Sequence, residues 1–172
     1  DRVCSVESLN TAIKEMDEIM KNKFLETFEI VNKEFNTVYK QLFKGGDGRL
    51  KLTDPDNLLQ TGIEIIAQPP GKKMNSIGLL SGGEKTLTAI SLLFAILNVK
   101  PVPFVILDEV EAALDDANVE TFGAYLLEKK EKSQFIIITH RRGTMTAADR
   151  LYGITMQEKG VSTLVSVNPV SY

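Results

Sequence analysis

Apolar residues recur at spacings of three and four through the first 44 positions of the chain. Such spacing draws one apolar stripe along a helix, because an α-helix completes a turn in about 3.6 residues. No Gly or Pro interrupts the stripe, and charged residues occupy the other faces. The pattern predicts one long helix. Its stripe consists of Leu9, Ile13, Met16, Met20, Phe24, Phe28, Val31, Phe35, Val38 and Leu42.

This helix has two interpretations. The stripe begins like a coiled-coil seam, but successive four-residue steps between Met16 and Phe28 break the seven-residue repeat. An ordinary amphipathic surface helix fits the spacing equally well. A helix of about 40 residues would be about 60 Å long, which exceeds the width of such a domain and favours a projecting arm. We therefore predict the end of a coiled-coil arm at residues 1–44 and a globular lobe at 45–172.

Beyond the helix the elements become short. Lys44 and the glycines after it predict a helix stop, and alternating residues predict an antiparallel pair of strands at 49–53 and 63–67. Helix 84–98, strand 104–108, helix 118–130 and strand 135–139 then follow the order of a βαβ unit, and 151–156 with 161–167 form a hairpin. The predicted fold class is α/β, a mostly parallel sheet with flanking helices behind the long helix and a small antiparallel segment. The apolar character of strand 104–108 and helix 84–98 predicts that both are buried on all sides.

Composition sets modest bounds. The 172 residues are 43% hydrophobic and 25% charged, as in a globular protein with a core. A charged amino terminus and the lack of a long apolar run lead us to expect a cytoplasmic protein without a membrane span. The formal charge of −3 provides no bulk attraction to nucleic acid. Local basic pairs such as Arg141-Arg142 could meet DNA, although solvated loop ends explain them at least as well.

The segment Ser81-Gly82-Gly83-Glu84-Lys85 stands at the predicted start of a helix. Ser81 and Glu84 have the spacing of a capping box, which would satisfy the first backbone amides of the helix. Two glycines cost a helix about 1 kcal/mol each relative to Ala, and a cap does not need them. They do expose backbone amides at the positive end of the helix dipole. The motif therefore favours a phosphate site over a simple cap.

Acidic residues and the only histidine follow the two predicted strands of the βαβ unit. Asp108 and Glu109 end the first strand, and His140 follows the second. If the strand continues regularly, Asp108 and Glu109 face opposite sides, so we assign magnesium to Asp108 and the attacking water to Glu109. Adjacent parallel strands would bring His140 beside Glu109. The alternatives are solvated carboxylates and a structural histidine, and Asp115 or Asp116 could cap the next helix.

No G-x-x-x-x-G-K-S/T motif occurs in the 172 residues. This motif wraps the phosphates of a nucleotide in ordinary P-loop proteins. The chain by itself therefore cannot hold ATP in the ordinary P-loop manner, and the sequence predicts half of a nucleotide site.

The spans 68–73, 79–85, 104–118, 134–140 and 145–156 closely resemble the carboxyl-terminal half of the head domain of bacterial SMC (structural maintenance of chromosomes) proteins. The resemblance implies an ABC-type ATPase head using ATP and magnesium, in which the amino-terminal half of the same polypeptide supplies the P-loop. It implies that Ser81, Gly82 and Gly83, with Glu84 and Lys85 in the same motif, are the signature motif that contacts the ATP of an opposite head. Asp108 resembles the Walker B aspartate, Glu109 the catalytic glutamate, Asp115 the D-loop aspartate and His140 the switch histidine. Glu111 departs from the family pattern, which generally has Asp there.

The resemblance also implies partners and a cellular role. These are a second SMC head paired through ATP, a kleisin subunit, DNA through the full complex, and chromosome condensation and segregation at the nucleoid. Two other functions stay open. One is the head of a coiled-coil ABC ATPase of recombinational repair, and the other is a non-catalytic module that docks a partner.

Overall fold

The structure is a computed structural model that describes the backbone of residues 2–167 and the side chains of residues 7–165. In chain order the elements are α1 (Arg2–Phe43), β1 (Asp47–Leu52), β2 (Ile63–Gln68), β3 (Asn75–Ser76), a 3₁₀ turn (Ile77–Leu79), α2 (Gly82–Val99), β4 (Phe104–Asp108), α3 (Asp116–Lys129), β5 (Gln134–Ile138), α4 (Arg142–Met145), β6 (Leu151–Glu158) and β7 (Val161–Val167). None of the helices among these residues has the length and apolar character needed to span a bilayer.

The chain divides into two compact units. Unit 1 comprises the residues up to 81 together with 88–100, and unit 2 comprises 82–87 together with the residues from 101 onward. Helix α2 therefore contributes its first turns to unit 2 and the rest to unit 1. The predicted boundary between an arm at 1–44 and a lobe at 45–172 stays a prediction, and its outer limits lie outside the described residues.

The long helix predicted from the apolar stripe is confirmed as α1. Among the side chains of α1 that the structure describes, only those of its carboxyl-terminal part are buried, with Phe35, Val38, Tyr39 and Leu42 at most 1% exposed. Leu9, Ile13, Met16 and Met20 lie earlier in the same stripe and are exposed. The helix thus keeps its apolar stripe for dozens of residues but buries it only near the sheet of unit 1.

A reversal of backbone direction joins α1 to that sheet. Lys44 has a φ of 56°, and Gly45 and Gly46 have φ values of 136° and 76°, so the chain leaves the helix through three residues in positive-φ conformations. The amide of Gly45 donates to the carbonyl of Lys40 at 3.0 Å. β1 then pairs with β2 and β2 with β3, both antiparallel. The predicted antiparallel segment is confirmed and has a third, short strand.

Unit 2 contains the predicted βαβ unit. β4 and β5 pair in parallel with Phe104 opposite Gln134 and Asp108 opposite Ile138, and α3 connects them. The hairpin of β6 and β7 is also confirmed, with Gly160 at a φ of 86° in its turn. The mixed α/β class is correct, but the parallel sheet within the described residues has only two strands.

Two burial predictions are wrong. β4 is buried on one face only, because Phe104 and Ile106 are exposed while Leu107 is buried, and Ile136 and Ile138 of β5 are exposed as well. Helix α2 buries Leu87, Ile90 and Phe94, but Ile96 is 47% exposed. The cause is the same in both cases. The apolar content predicts surfaces that are covered, whereas apolar side chains of both elements remain exposed among the described residues.

Candidate nucleotide site

The carboxyl ends of β4 and β5 bring Asp108, Glu109 and His140 to one edge of the parallel sheet. β4 ends at Asp108, and the amide of Glu109 extends the ladder by donating to the carbonyl of Ile138 at 3.0 Å. His140 lies two residues beyond Ile138. Its Nδ1 atom is 3.6 Å from Oε1 of Glu109. The predicted proximity of Glu109 and His140 is confirmed, and their chemical roles stay predictions.

The assumption that the strand continues regularly through Glu109 is wrong. The strand ends one residue earlier, and Glu109 has a φ of 47°. This left-handed conformation costs a non-glycine residue about 1–2 kcal/mol, and it persists only where the surrounding structure holds it. The hydrogen bond from Glu109 to Ile138 is one such constraint. The side chain of Glu109 is therefore aimed by a turn and not by strand alternation.

The separation of Glu109 and His140 suits a shared water better than a direct contact. At 3.6 Å the two atoms are beyond ordinary hydrogen-bond distance. Both side chains are open to solvent, at 67% for His140 and 58% for Glu109. A carboxylate and an imidazole at this separation can both reach one water molecule and exchange a proton with it.

The two glycines of the signature segment have different surroundings. Helix α2 begins at Gly82, and a side chain there would meet no atom within 4 Å. A Cβ atom on Gly83 would lie 3.1 Å from the carbonyl oxygen of Ala113, which is tighter than an ordinary contact. Packing alone explains the glycine at 83. Only at Gly82 does the absence of a side chain leave open space at the helix start, where a phosphate oxygen could approach.

The rest of the signature segment is distributed over both units. Gly82, Gly83, Glu84 and Lys85 form the first turn of α2 within unit 2. Ser81 is an exposed residue of unit 1. Lys85 is exposed and Glu84 is half-buried.

Asp115, and not Asp116, caps helix α3. Oδ1 of Asp115 accepts a hydrogen bond from the amide of Asn118 at 2.8 Å, and the backbone of Asp115 is extended as expected at a cap. Asp116 instead accepts from the Arg141 guanidinium at 2.9 Å. The residue that the resemblance assigns to the D-loop therefore has a structural task at the start of α3, and the D-loop role stays a prediction.

Glu111 is a buried acid that sequence reasoning noticed only as a departure from the family pattern. It is 1% exposed, and its Oε1 atom accepts hydrogen bonds from Thr139 at 2.5 Å and Thr144 at 2.8 Å. A single acidic residue between Val110 and Ala112 carries no periodic signal. The sequence therefore could not reveal that its carboxylate is inside the protein.

Arg141 and Lys130, one residue from each of two basic pairs, have partners within the chain. The Arg141 guanidinium donates to the carbonyl of Leu114 at 3.0 Å as well as to Asp116, and Lys130 pairs with Asp149 at 2.7 Å. These local partners favour the structural explanation of the basic pairs over a DNA contact.

Asp108 is the residue to which the sequence assigns magnesium. No group of three or more His, Cys, Asp or Glu side chains is positioned for a metal among the residues described. Asp108 is one exposed carboxylate at the sheet edge. Mg²⁺ bound with a nucleotide commonly takes one or two carboxylates and completes its shell with phosphate oxygens and water. As a single exposed carboxylate at the sheet edge, Asp108 therefore fits the ligand chemistry of a magnesium–nucleotide site.

Solved structures establish which class of protein has this fold. A chain solved in a study of the ATP-driven dimerisation and DNA-stimulated activation of SMC ATPases matches with a TM-score of 0.80 and 42% identity, over 86% of this chain and 89% of that chain. The Pyrococcus furiosus Smc head with an extended coiled coil, bound to the C-terminal domain of ScpA, matches with a TM-score of 0.84 and 42% identity, over 94% of this chain and 40% of that chain. The fold is that of an SMC head.

The model of the RecF/RecN/SMC N terminal domain family matches residues 6–163, so the chain belongs to this family. Chromosome partition protein Smc of Desulfitobacterium hafniense is 59% identical over 161 residues, 94% of this chain and 13% of that protein. The protein of the same name from Bacillus subtilis is 58% identical over 160 residues, 93% of this chain and 14% of that protein. The chain thus spans only about one seventh of these relatives.

Proposed function

We propose that this chain is the carboxyl-terminal half of the ATPase head of a bacterial chromosome partition Smc protein, a head that binds and hydrolyses ATP to engage and release its partner head. The observation that carries the proposal is the 3.6 Å approach of His140 and Glu109 beside Asp108 at one sheet edge. The identity of 58–59% to chromosome partition proteins, over a small share of their length, supports the rest. These relatives favour chromosome partition over recombinational repair.

Asp108, Glu109 and His140 have separate roles in the proposed hydrolysis of ATP. The Asp108 carboxylate would hold magnesium, which when bound neutralises charge on the phosphates. Glu109 orients the attacking water and accepts a proton from it. His140 forms a hydrogen bond to the same water or transfers a proton with it. Both side chains are exposed, and the positive φ of Glu109 sets the direction in which its side chain leaves the backbone.

The signature segment serves a different nucleotide. Ser81, Gly82 and Gly83, with Glu84 and Lys85, would contact the γ-phosphate of ATP on an opposite head, so that two heads close around two ATP molecules. The open space above Gly82 at the start of α2 supports this part of the proposal. Asp115 would act as the D-loop aspartate between the two sites while it caps α3.

The amino-terminal half of the same polypeptide completes the head. The chain has no P-loop of its own, and the apolar side chains of Phe104, Ile106 and Ile138 are exposed on one face of the parallel sheet. Three neighbouring large apolar side chains are unusual at a free surface and mark an interaction site. The amino-terminal half would cover them and supply the P-loop. The exposed stripe of α1 would pair with the returning strand of the coiled coil.

Related proteins of known structure support the remaining partners in this proposal. Smc heads have been solved with parts of ScpA bound, which supports a kleisin subunit as a partner of this head. The study of SMC ATPases concerns activation by DNA, which supports DNA as the object of the complex and the nucleoid as its location. The net charge of this chain gives no separate reason for a DNA contact.

Reconstitution tests the proposal. The chain is mixed with the amino-terminal half of its own polypeptide, and ATP turnover is measured with magnesium present. We expect turnover only in the mixture, and Glu109→Gln should reduce it at least about 100-fold while ATP still binds. Unchanged turnover in the Glu109→Gln mixture would remove the proposed base.

A second variant tests the proposed contact between the signature segment and the ATP of the opposite head. Ser81→Arg places a bulky cation at the signature segment and should prevent ATP-driven pairing of heads while the amino-terminal half still binds ATP. Normal pairing by this variant would exclude Ser81 from the nucleotide contact. A mixture that stays monomeric and indifferent to ATP and magnesium would instead support the alternative of a non-catalytic docking module.

A further inference from the structure

Within unit 2, the buried carboxylate of Glu111 connects the segment that carries Glu109 to the segment that carries His140. Glu111 follows Glu109 by two positions, and Thr139 directly precedes His140. The hydroxyl of Thr139 donates to Oε1 of Glu111 at 2.5 Å. This side-chain hydrogen bond joins the two loops whose side chains form the proposed catalytic pair, in addition to the backbone hydrogen bond from Glu109 to Ile138.

The same threonine also shapes the turn that holds His140. Its Oγ1 atom accepts a hydrogen bond from the amide of Arg141 at 2.9 Å while it donates to Glu111. The backbone before this turn is fixed as well, because the carbonyl of Ile138 accepts a hydrogen bond from the amide of Glu109 at 3.0 Å. His140 is therefore held between two anchored residues, and Glu111 provides one of the anchors.

The burial of Glu111 indicates that its role is more than packing. A carboxylate that is 1% exposed loses its hydration and must recover that cost through hydrogen bonds. Its Oε1 atom accepts from Thr139 and Thr144, but its Oε2 atom has no hydrogen-bond partner within the described part of the chain. An apolar side chain would fill the same space without this cost, but it could not accept the hydrogen bond that the Thr139 hydroxyl donates.

We infer that Glu111 is a positioning residue that sets the distance between Glu109 and His140 by holding Thr139. The inference rests on the proposed function, because it concerns the geometry of the proposed catalytic pair. Glu111 itself touches neither water nor nucleotide in this role. Loss of the link lets the His140 turn move relative to Glu109, which lowers the rate of the chemical step without weakening ATP binding.

The two threonines provide a matched pair of variants, since each donates one hydroxyl to the same oxygen of Glu111. Thr139→Val removes the link to the His140 segment, and Thr144→Val removes the link to α4. Both changes keep the size of the side chain and lose one hydrogen bond to Glu111, and Thr139→Val also removes the acceptor of the Arg141 amide. A purely structural Glu111 would respond alike to both.

The test measures kcat and KM for ATP in the head reconstituted with its amino-terminal half. Thr139→Val should lower kcat by about 10- to 100-fold with KM nearly unchanged, and Thr139→Ser, which restores the hydroxyl, should recover most of the rate. Thr144→Val should keep kcat within about threefold of the parent. Glu111→Leu combined with Thr139→Val should be little slower than Thr139→Val alone, because each change by itself already removes the hydrogen bond between Thr139 and Glu111.

Equal kcat values for the Thr139→Val and Thr144→Val heads would overturn the inference, as would a Thr139→Val head with the parent rate. Glu109→Gln is measured in parallel to separate this failure from failure of the proposed function. If Glu109→Gln stops turnover and Thr139→Val does not affect it, the positioning role alone is wrong. If Glu109→Gln has no effect, the catalytic assignment fails first.

Discussion

His140 Nδ1 lies 3.6 Å from Glu109 Oε1, and the parallel pairing of β4 and β5 creates this approach. The amide of Glu109 is bonded to Ile138, two residues before His140, so the backbone fixes both side chains at the same end of the sheet. Neither side chain is within hydrogen-bond distance of the other. The two atoms are therefore close enough for one water molecule to bridge them.

A double-mutant cycle on this pair tests whether the two residues act on the same water. We expect His140→Ala to slow ATP hydrolysis by the reconstituted head by about 10- to 100-fold, and Glu109→Gln to slow it more. The double variant should be hardly slower than Glu109→Gln alone, because His140 has no proton to exchange once the water is not activated. Single-turnover rates are the appropriate measurement, since they separate chemistry from product release. Fully multiplicative effects would mean that the residues act independently.

The backbone of Glu109 predicts an unusual response to glycine. At a φ of 47° a residue with a side chain is strained, and glycine is not. We expect Glu109→Gly to be more stable than Glu109→Ala by about 1 kcal/mol in denaturant unfolding, although neither variant hydrolyses ATP. Glu120, an exposed residue of α3, provides the control. There the glycine variant should be less stable than the alanine variant by about 1 kcal/mol. If the glycine variant were less stable than the alanine variant at both positions, the backbone of Glu109 would not be strained.

Local patterns in the sequence predict most of the elements correctly. The apolar stripe of α1 and the alternation of helices and strands from residue 81 onward are repeated within each element, so each element can be recognised without its neighbours. The approach of His140 to Glu109 is also predictable. It requires only that two apolar strands be parallel and adjacent, which the intervening helix of a βαβ unit makes the expected arrangement.

The features that escaped prediction depend on tertiary contacts. The positive φ of Glu109 arises where the chain leaves β4, and the burial of Glu111 arises where two threonines from elsewhere meet it. The exposure of Phe104 and Ile106 was missed for a different reason. Apolar composition predicts that a surface will be covered, but it does not say whether the cover belongs to the same 172 residues.

The different surroundings of Gly82 and Gly83 predict that alanine will separate folding from nucleotide-driven pairing. Gly82→Ala meets open space and adds a better helix former, so its thermal unfolding temperature should equal or exceed that of the parent. A methyl group at the helix start obstructs the approach of a phosphate, and ATP-driven pairing of heads should weaken about tenfold. Gly83→Ala should lower the unfolding temperature, because its methyl group crowds the carbonyl of Ala113.

Two measurements decide this prediction. Thermal unfolding is followed by circular dichroism, and pairing is measured by sedimentation with and without ATP. A Gly82→Ala head that pairs normally would remove the proposed phosphate contact from that position. A Gly83→Ala head as stable as the parent would mean that the segment around Ala113 can shift without a measurable loss of stability.

The pairing of Asp47 predicts acid sensitivity of the junction between α1 and β1. The Asn36 side chain donates a hydrogen bond to Asp47, which is partly buried and also pairs with Arg49 and Lys40. The hydrogen bond from Asn36 lowers the pKa of this carboxyl from 3.8; burial opposes the change, and Arg49 and Lys40 reinforce it. Because the folded pKa is below the unfolded one, the charged carboxylate stabilises the folded chain fully above about pH 4, and that contribution is lost as the pH falls through the folded pKa.

Asp47→Asn removes this titration. The variant should be about 1 kcal/mol less stable than the parent near pH 7, since it loses charge-assisted hydrogen bonds, and the difference should shrink as the pH falls below 4. Urea unfolding of the reconstituted head at a series of pH values measures this difference in stability. Asp56→Asn, the same change at an exposed turn residue, controls for the loss of one negative charge. If both variants kept the same stability difference from the parent at every pH, the interactions of Asp47 would make no contribution to the acid sensitivity of the junction.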